Sequence, residues 1–341
     1  MTVTLKDIAK RLNLSVSTVS RALHNPQGIS PKTAELVHKI AEEMHYLPNS
    51  LASSLRTKRS QTLGVIVPEV SSYFFASALA GINTLAAQHN YQTIICQSGD
   101  DPAEEAKQVE ILMSGKVDGL LISVAEGTRE YEHILEAKEE LPVVLFDRIV
   151  PDLGIDWVEA DDYGGAYQAV LHLLSCGYRK IAHLAGPAHL ANSRQRLAGY
   201  RAALQHFKVA ADESLIHNCG FEVAAAKQCV NQLLAQHPDV EAIFAVNDEV
   251  GVAAIQTLKR VGYNVPERVA VIGFGNYPIS QIIEPELSTV QHNAFKIGQE
   301  AAAMLFSRLT SSNHSIVIFQ KKVIATQVIV RQSTHTRRIK A

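Results

Sequence analysis

From residue 61 onward, short apolar runs alternate with amphipathic segments, and this alternation constrains the fold more than any other feature. Segments 166–174, 196–207 and 251–261 have helical periodicity. The runs with the character of buried strands are LGVIVP (63–68), YQTIICQS (91–98), DGLLIS (118–123), PVVLFD (142–147), KIAHLAG (180–186), EAIFAV (241–246) and VAVIGF (269–274). Near-continuous apolar strands separated by helices predict parallel sheets covered on both faces. The two sets of strands predict two similar lobes.

The first sixty residues differ from this body in charge. They carry nine Lys or Arg against four Asp or Glu, a net charge of +5, whereas the remaining 281 residues carry 23 against 30, a net charge of −7. A compact basic module in front of an acidic body predicts a polyanionic partner for the N-terminal part.

The same sixty residues have the pattern of three short helices. Thr4 and Ser15 are placed to cap the first two helices, and Ser30 followed by Pro31 is a strong start for the third. A turn of three or four residues separates the first two helices, which is the spacing of a helix-turn-helix. A small helical bundle without a DNA-binding role is the alternative interpretation.

The run from residue 4 to residue 60 resembles the DNA-binding headpiece of the lac/gal repressor (LacI/GalR) family. The resemblance lies in the opening T-x-x-D-I-A, the second-helix run LSVSTVSR and the tail Y-x-P-N-x-x-A-x-x-L, with the spacing kept without gaps. The alternating body resembles the periplasmic-binding-protein-like core of the same family, so the resemblance covers essentially the whole chain.

The resemblance implies a fold class with two parts. A small all-α helix-turn-helix headpiece is expected over 1–45, a hinge helix or linker over 46–60, and an α/β two-lobed periplasmic-binding-protein-like core with parallel sheets over 61–341. In that core the chain crosses between lobes three times, which we place near 160, 290 and 320. Lobe 1 is then about 61–160 and 291–320, and lobe 2 is about 161–290 and 321–341.

In a helix-turn-helix the second helix enters the major groove, and the resemblance assigns base reading to Val16, Ser17 and Arg21. Arg21 can donate two hydrogen bonds to guanine, and Val16 can pack on a thymine methyl group; a phosphate contact is the alternative for Arg21. Short polar residues near helix starts suit phosphate contacts, and several suit capping as well. These residues are Thr4, Ser15, Ser20, Asn25, Ser30 and Thr33.

The segment that follows is expected to act as a hinge that folds on DNA. Tyr46 opens its motif, Asn49 can cap a short helix, and Arg56 begins the basic residues at its end. By resemblance, two copies insert Leu55 into the minor groove, with Ala52 at the closely packed position. Burial of Leu55 against its own domain is the alternative.

Ligands of open parallel sheets bind in the crevice beyond the carboxyl ends of the strands. Aromatic side chains there offer a face to a sugar or base ring, and Arg, Asp and Asn offer paired hydrogen bonds. Helix capping by Asp162 or Asp248, and a core position for Phe74, are the alternatives. The candidate effector residues are Phe74, Phe75, Asp147, Arg148, Asp162, Asn192, Arg196, Phe221, Asn247 and Gly275.

Gly275 departs from the family pattern. Sugar-responsive relatives commonly carry an aspartate after I-G-[FY], where its carboxylate accepts hydrogen bonds from two hydroxyls. Its loss beside Arg148 and Arg196 favours an anionic or larger ligand. Two alternatives stay open: Asn276 or Asp248 contacts an ordinary sugar, or the cleft holds no small molecule.

The sequence lacks the motifs that would indicate an enzyme. The sequence contains no G-x-x-x-x-G-K-[ST], H-E-x-x-H or G-x-S-x-G, and none of its fourteen histidines lies three or four residues from another. We therefore expect no catalytic residue, no cofactor and no metal site. The four cysteines contain no C-x-x-C and are expected to be free thiols in a reducing cytosol.

The sequence thus predicts a transcriptional regulator, most simply a repressor. Its partners are double-stranded operator DNA, read by a homodimer at a pseudo-palindromic site, and a small-molecule effector, a sugar or sugar derivative, in the interlobe cleft. A periplasmic sugar receptor of the same fold would need a signal peptide and would lack the basic headpiece. Without an apolar signal core or an 18-residue apolar run, a cytoplasmic protein with no membrane partner is expected. The sequence leaves open the identity of the effector, whether it induces or co-represses, the sequence of the operator and whether the protein forms a dimer or a tetramer.

Overall fold

The computed structural model describes residues 3–24, 28–46, 59–310 and 319–335. The chain divides into two compact units, Met1–Ser60 and Gln61–Ala341. Five residues with predicted DNA roles, Asn25, Asn49, Ala52, Leu55 and Arg56, lie outside the described residues. Within the described ranges no helix is long and apolar enough to cross a membrane.

Three helices build the first unit: α1 (Leu5–Leu12), α2 (Val16–His24) and α3 (Pro31–Glu43). The predicted caps are confirmed at α2 and α3, where Thr18 N donates to Ser15 Oγ at 3.1 Å and Thr33 N donates to Ser30 Oγ at 3.2 Å. At α1, the backbone N of Thr4 donates to a carboxylate oxygen of Asp7 at 2.8 Å. The core of the unit consists of Ile8, Ala9, Val19, Ala22, Val37 and Ala41.

A six-stranded parallel sheet forms lobe 1 of the second unit. Its strands are β1 (Thr62–Val67), β2 (Gln92–Gln97), β3 (Gly119–Ile122), β4 (Val143–Phe146), β5 (Asp156–Ala160) and β11 (Lys321–Ile324), in the order β11-β5-β4-β3-β1-β2. The helices of this lobe are α4 (Tyr73–Gln88), α5 (Pro102–Ser114), α6 (Glu132–Glu140) and α12 (Ala294–Thr310). Apolar residues from α4 and α12 cover one face of the sheet, and those from α5 and α6 cover the other.

A four-stranded parallel sheet forms lobe 2. Its strands are β6 (Ile181–Ala185), β7 (Ile216–Asn218), β8 (Ala242–Ala245) and β9 (Ala270–Ile272), in the order β7-β6-β8-β9. Helices α7 (Asp162–Ser175) and α8 (Ala191–His206) pack on one face, and α9 (Val223–Gln236) and α10 (Asp248–Arg260) pack on the other. The short helix α11 (Ile279–Ile282) and the antiparallel pair β10 (Thr289–Gln291) and β12 (Gln327–Ile329) complete the lobe. Two sheets covered on both faces confirm the predicted α/β class.

The chain crosses between the lobes after β5, after β10 and after β11. Hydrogen bonds join the crossings: Asp161 N donates to Ile324 O at 2.9 Å, and Thr326 Oγ1 donates to Asp161 O at 3.2 Å. The second crossing joins them through Asn293 Nδ2, which lies 3.4 Å from Ala325 O. The three crossing segments therefore form one hydrogen-bonded hinge between the lobes.

The prediction of the third crossing near residue 320 is wrong by a few residues. Strand β11 belongs to lobe 1, where Lys321 pairs with Trp157 and Ile324 pairs with Ala160. The sequence of this edge strand, Lys-Lys-Val-Ile, is mostly exposed, so it has no apolar run that would mark it as a strand.

Candidate DNA interface and effector cleft

The second helix of the first unit presents a polar and an apolar face. Val19 and Ala22 are buried in the core of the unit, whereas Val16, Ser17 and Arg21 are exposed, Val16 to 41%. Arg21 Nε lies 3.4 Å from Ser17 O, so the predicted base-reading side chains lie together on one face of α2. Their role in DNA reading stays a prediction.

The other described residues with predicted DNA roles cap helices, form hydrogen bonds or are partly buried within the same unit. Ser15 and Ser30 cap helices, and Thr4 pairs with Asp7, as described above. The hydroxyl of Thr33 lies 2.7 Å from that of Ser30. Ser20 is half-buried on α2, and Tyr46 packs against the headpiece core. A side chain that caps a helix still offers its hydroxyl to a phosphate, so both roles are compatible.

In the second unit, a cavity of about 470 Å³ lies beyond the carboxyl ends of the strands of both sheets. Eight of the ten candidate effector residues line it, and two, Asp162 and Gly275, do not. The eight are Phe74, Phe75, Asp147, Arg148, Asn192, Arg196, Phe221 and Asn247.

Asp162 acts on the cleft through Arg196. Arg196 Nε donates to Asp162 Oδ1 at 2.7 Å, and Arg196 Nη1 donates to Val246 O at 2.6 Å. The guanidinium also lies over the ring of Phe274, 3.9 Å from its centroid. Both members of the ion pair are buried, so Asp162 neutralises Arg196 and fixes its orientation.

Neither Asp162 nor Asp248 caps its helix. Asp161 is the cap of α7 and accepts from Gly164 N at 2.8 Å, and Asn247 is the cap of α10 and accepts from Val250 N at 2.8 Å. Asp248 instead accepts from Tyr277 N at 2.6 Å and from the hydroxyl of Thr289. Because Asp161 and Asn247 cap the two helices, the carboxylates of Asp162 and Asp248 are available for other hydrogen bonds and ion pairs.

The ring of Tyr277 occupies the space beside Gly275. The φ of Gly275 is +140°, and a Cβ placed on it would lie 2.5 Å from Tyr277 Cε1. Tyr277 lines the cavity, whereas Asn276 and Asp248 do not. Asn276 Oδ1 accepts from Arg331 Nη2 at 2.6 Å, and Asp248 is bonded as described. The proposal that Asn276 or Asp248 contacts the ligand is therefore corrected: their acceptors are used inside the protein.

The ion pairs of the two arginines count against the expected anionic ligand. Arg196 is paired with Asp162, and Arg148 is paired with Asp100. Sequence reasoning missed five of the six carboxylates that line the cavity, although each follows a strand. The six are Glu69, Asp100, Glu126, Asp147, Glu222 and Glu249. Two paired arginines among six carboxylates do not favour a negatively charged ligand.

Burial shifts the pKa values of several groups in the cleft and behind its walls. Burial raises the pKa of Asp147 to about 7, partly opposed by Arg148. Burial likewise raises the pKa of Glu159 to about 7 and that of Asp248 to about 6. Burial, aided by Arg196, lowers the pKa of His292 to about 3, so this cavity-lining imidazole is neutral near pH 7.

The described residues contain no group of three His, Cys, Asp or Glu side chains arranged to hold a metal ion. What the cleft offers is aromatic faces, amides, carboxylates and two oriented guanidiniums. This set can bind a hydroxyl-rich or ring-shaped small molecule by hydrogen bonding and stacking.

Comparisons with known proteins agree with both parts. Residues 4–49 match the family described as bacterial regulatory proteins, lacI family, and residues 60–327 match periplasmic binding proteins and the sugar binding domain of the LacI family. The chain is 32% identical over 336 residues to the HTH-type transcriptional regulator DegA of Bacillus subtilis, covering 98% of each chain. It is 30% identical over 333 residues to the HTH-type transcriptional repressor CytR of Escherichia coli, covering 97% of this chain and 96% of CytR.

A solved structure with a ligand is similar as well. The transcriptional regulator CelR in complex with cellobiose superposes with a TM-score of 0.74 at 28% identity, covering 97% of this chain and all of that chain.

We predict that Arg196→Ala lowers the free energy of unfolding by about 3–5 kcal/mol, because it leaves the buried Asp162 carboxylate without its partner. Urea denaturation of the full chain, followed by circular dichroism, measures the loss. Adding Asp162→Asn to Arg196→Ala should restore part of the stability.

Arg201→Ala is the matched control for this variant, since Arg201 lies on the same helix and forms an exposed ion pair with Glu213 at 2.6 Å. Its loss should cost about 0–1 kcal/mol. Equal losses in Arg196→Ala and Arg201→Ala would contradict the structural role of the buried pair.

We predict that the carboxyl of Asp147 makes a contribution to stability that is lost as pH rises from 5 to 8, and that Asp147→Asn removes this contribution from the pH dependence of unfolding. A carboxyl with a raised pKa binds its proton more tightly in the folded than in the unfolded state, so it favours folding at low pH. For Asp147 the effect is lost between its ordinary pKa of 3.8 and about 7, and it is worth at most about 4 kcal/mol. The measurement is urea denaturation at pH 5 and pH 8. An identical pH dependence in both proteins would refute the assignment to Asp147.

Proposed function

This chain belongs to the LacI family of bacterial regulatory proteins and is a DNA-binding transcriptional regulator, and we propose that it represses transcription under the control of a small molecule held in its interlobe cleft. The observation that carries this proposal is the union, in one chain, of an exposed reading face on α2 with a cavity beyond the carboxyl ends of two parallel sheets. With a DNA partner, the protein acts in the cytoplasm. Binding rather than catalysis accounts for every group in the cleft.

The proposed DNA contacts begin with α2. Its face of Val16, Ser17 and Arg21 is exposed in a unit whose residues 1–60 carry a net charge of +5. That charge favours the phosphate backbone without selecting sequence, and Arg21 supplies selection through a bidentate contact with guanine. Residues 46–60, with Tyr46, Asn49, Ala52, Leu55 and Arg56, are proposed to fold in the minor groove.

The proposed effector contacts are the eight cavity-lining residues named above, with Asp162 as the residue that positions Arg196. Phe221 comes from lobe 2, and Arg148 from lobe 1 lies over its ring at 5.6 Å from the centroid. A ligand that stacks on Phe221 therefore changes contacts between lobes. Coupling between cleft and DNA would then act through the relative arrangement of the lobes.

Exposed apolar side chains support a homodimer formed through the core. Ile94 and Ile95 are exposed on β2, the edge strand of the larger sheet, and Ile282 on α11 is 76% exposed. An exposed sheet edge that carries apolar residues is a ready surface for pairing with another chain. Two copies then present two headpieces to a two-fold symmetric operator.

We predict that Arg21→Ala weakens specific operator binding by about 1–3 kcal/mol and relaxes preference at one base pair per half-site, while the dimer stays intact. The measurement is fluorescence anisotropy with a selected operator and with its single-base variants, at several salt concentrations. Lys10→Ala, which removes a charge outside the reading face, is the control.

An equal loss on random DNA, with a reduced salt slope, would instead make Arg21 a phosphate contact. No operator selected from random sequence by the wild-type protein would contradict the proposed function itself.

We predict that Ile282→Glu converts the dimer to a monomer at micromolar protein concentration, because a charge in an apolar interface is desolvated without a partner. Sedimentation velocity measures the change. Ile111→Glu on α5, where the residue is 48% exposed, is the control and should remain dimeric. A dimeric Ile282→Glu variant would exclude α11 from the interface.

A further inference from the structure

The charges of the cleft are unbalanced beyond what its arginines neutralise. Arg148 pairs with Asp100, and Arg196 pairs with Asp162, a buried aspartate behind the cavity wall. Among the described residues, five of the six lining carboxylates form no ion pair with a Lys or Arg, Asp100 being the exception, and three of the five belong to the exposed residues Glu69, Glu222 and Glu249. No lysine lines the cavity.

These three carboxylates come from both lobes. Glu69 follows β1 in lobe 1. In lobe 2, Glu222 directly precedes α9, and Glu249 lies in the first turn of α10. Burial raises the pKa of Glu249, and the neighbouring carboxylates of Glu69 and Glu222 raise it further. The carboxylates of Glu69 and Glu222 are therefore near enough to that of Glu249 to repel it, and a cation between them would relieve this repulsion, which water partly screens because all three residues are exposed.

Helix termini do not account for all three carboxylates. Glu249 lies in the first turn of α10, where the helix dipole favours an acid. Glu222 is the cap residue of α9, but its side chain makes no capping hydrogen bond. Glu69 lies on a loop and accepts only from the hydroxyl of Ser71. Two of the three carboxylates thus have no strong structural reason for their charge.

A second cavity of about 630 Å³ adjoins the first and extends the acidic lining. The two share Pro68, Glu69, Asp100, Glu126 and Glu222, so four of the five shared residues are acids. The cations of the second cavity do not offset them fully. Arg129 Nη1 donates to the carbonyl oxygens of Glu126 and Thr128 at 2.7 and 2.9 Å, and His189 lies 3.9 Å from Glu126.

A buried polar atom with no partner in the described part of the chain lies in the wall of the first cavity. His292 lines the first cavity and is 4% exposed, and its Nδ1 has no hydrogen-bond partner among the described residues. A buried ring nitrogen without a partner is costly unless a ligand or water supplies one. The wall of the cavity also places one positive group against aromatic rings: the guanidinium of Arg148 lies over Phe75 and Phe221, at 5.8 and 5.6 Å from their centroids.

We propose that the effector carries a protonated amino group, as an amino sugar does, held by the carboxylates of Glu69, Glu222 and Glu249 while its hydroxyl-bearing ring lies against Phe221 and the cleft amides. The inference rests on the proposed effector function of this cleft and assigns its ligand class. A cation between Glu69 and the two lobe 2 glutamates removes repulsion across the cleft, so binding favours closure of the lobes.

The test is calorimetry of the full chain with probes that differ only at the charged group. Glucosamine, N-acetylglucosamine, glucose and glucose 6-phosphate form one set, and galactosamine, N-acetylgalactosamine, galactose and galactose 6-phosphate form another. The β-1,4-linked disaccharide of glucosamine, its diacetylated form and cellobiose form a third. In at least one set the amine should bind at least ten-fold tighter than its neutral and acidic matches.

Variants assign the preference to residues. Glu222→Gln and Glu249→Gln should each lower the affinity for the amine about five-fold or more and leave the affinity of the neutral match nearly unchanged. Glu267→Gln, an exposed glutamate of lobe 2 that lines neither cavity, is the control. Without any probe, Glu69→Gln should raise Tm by about 2 °C, because it removes repulsion from Glu249 at a loop position with no helix dipole to lose, and Glu267→Gln should not.

The outcomes separate this inference from the function on which it rests. Tighter binding of a neutral or phosphorylated probe would uphold a small-molecule effector and overturn the amine. An amine preference unchanged in both glutamate variants would overturn the assigned carboxylates. Failure of every probe to bind, together with an unchanged Tm in Glu69→Gln, would count against the inference and the effector site alike.

Discussion

The buried ion pair between Arg196 and Asp162 organises the carboxyl edge of the smaller sheet. It joins the start of α7 to the start of α8, and through the carbonyl of Val246 and the ring of Phe274 it also contacts the ends of β8 and β9. Two desolvated charges are retained in a protein interior only when geometry and additional hydrogen bonds compensate for the lost water. Here that compensation fixes a guanidinium at the wall of a cavity, so one interaction holds four elements together and orients a binding group.

Much of the fold was predictable because its signals are local. Each of the seven apolar runs contains a strand whose ends lie within two residues of the prediction, and Ser15 and Ser30 cap the helices as expected. Hydrophobic periodicity and capping depend on residues a few positions apart. Strand β11 escaped prediction because an edge strand exposes most of its side chains and has no apolar run to mark it.

The candidate site was predictable in its members but not in its charge balance. Eight of ten residues chosen by their place after a strand line one cavity. The pairing of Arg148 with Asp100, 48 residues apart, and of Arg196 with Asp162, 34 residues apart, depends on tertiary structure. Sequence reasoning counted both arginines as available cations, which led to the expectation of an anionic ligand. The carboxylates of Glu69, Glu222 and Glu249 also follow strands, but the sequence analysis selected aromatic, Arg, Asp and Asn residues at these places and no glutamate.

The cleft adjoins the hinge, and this proximity gives ligand binding a route to the arrangement of the lobes. Asp162 follows Asp161, whose backbone bonds to Ile324 and Thr326 at the third crossing. His292 precedes Asn293, which contacts the same crossing through Ala325. A ligand that contacts His292 therefore acts one residue away from the second crossing, and a ligand that contacts Arg196 acts through its partner Asp162, which is one residue away from the first crossing. Since interlobe closure needs only small rotations at such segments, the placement of these residues makes the cleft sensitive to closure without any element dedicated to transmission.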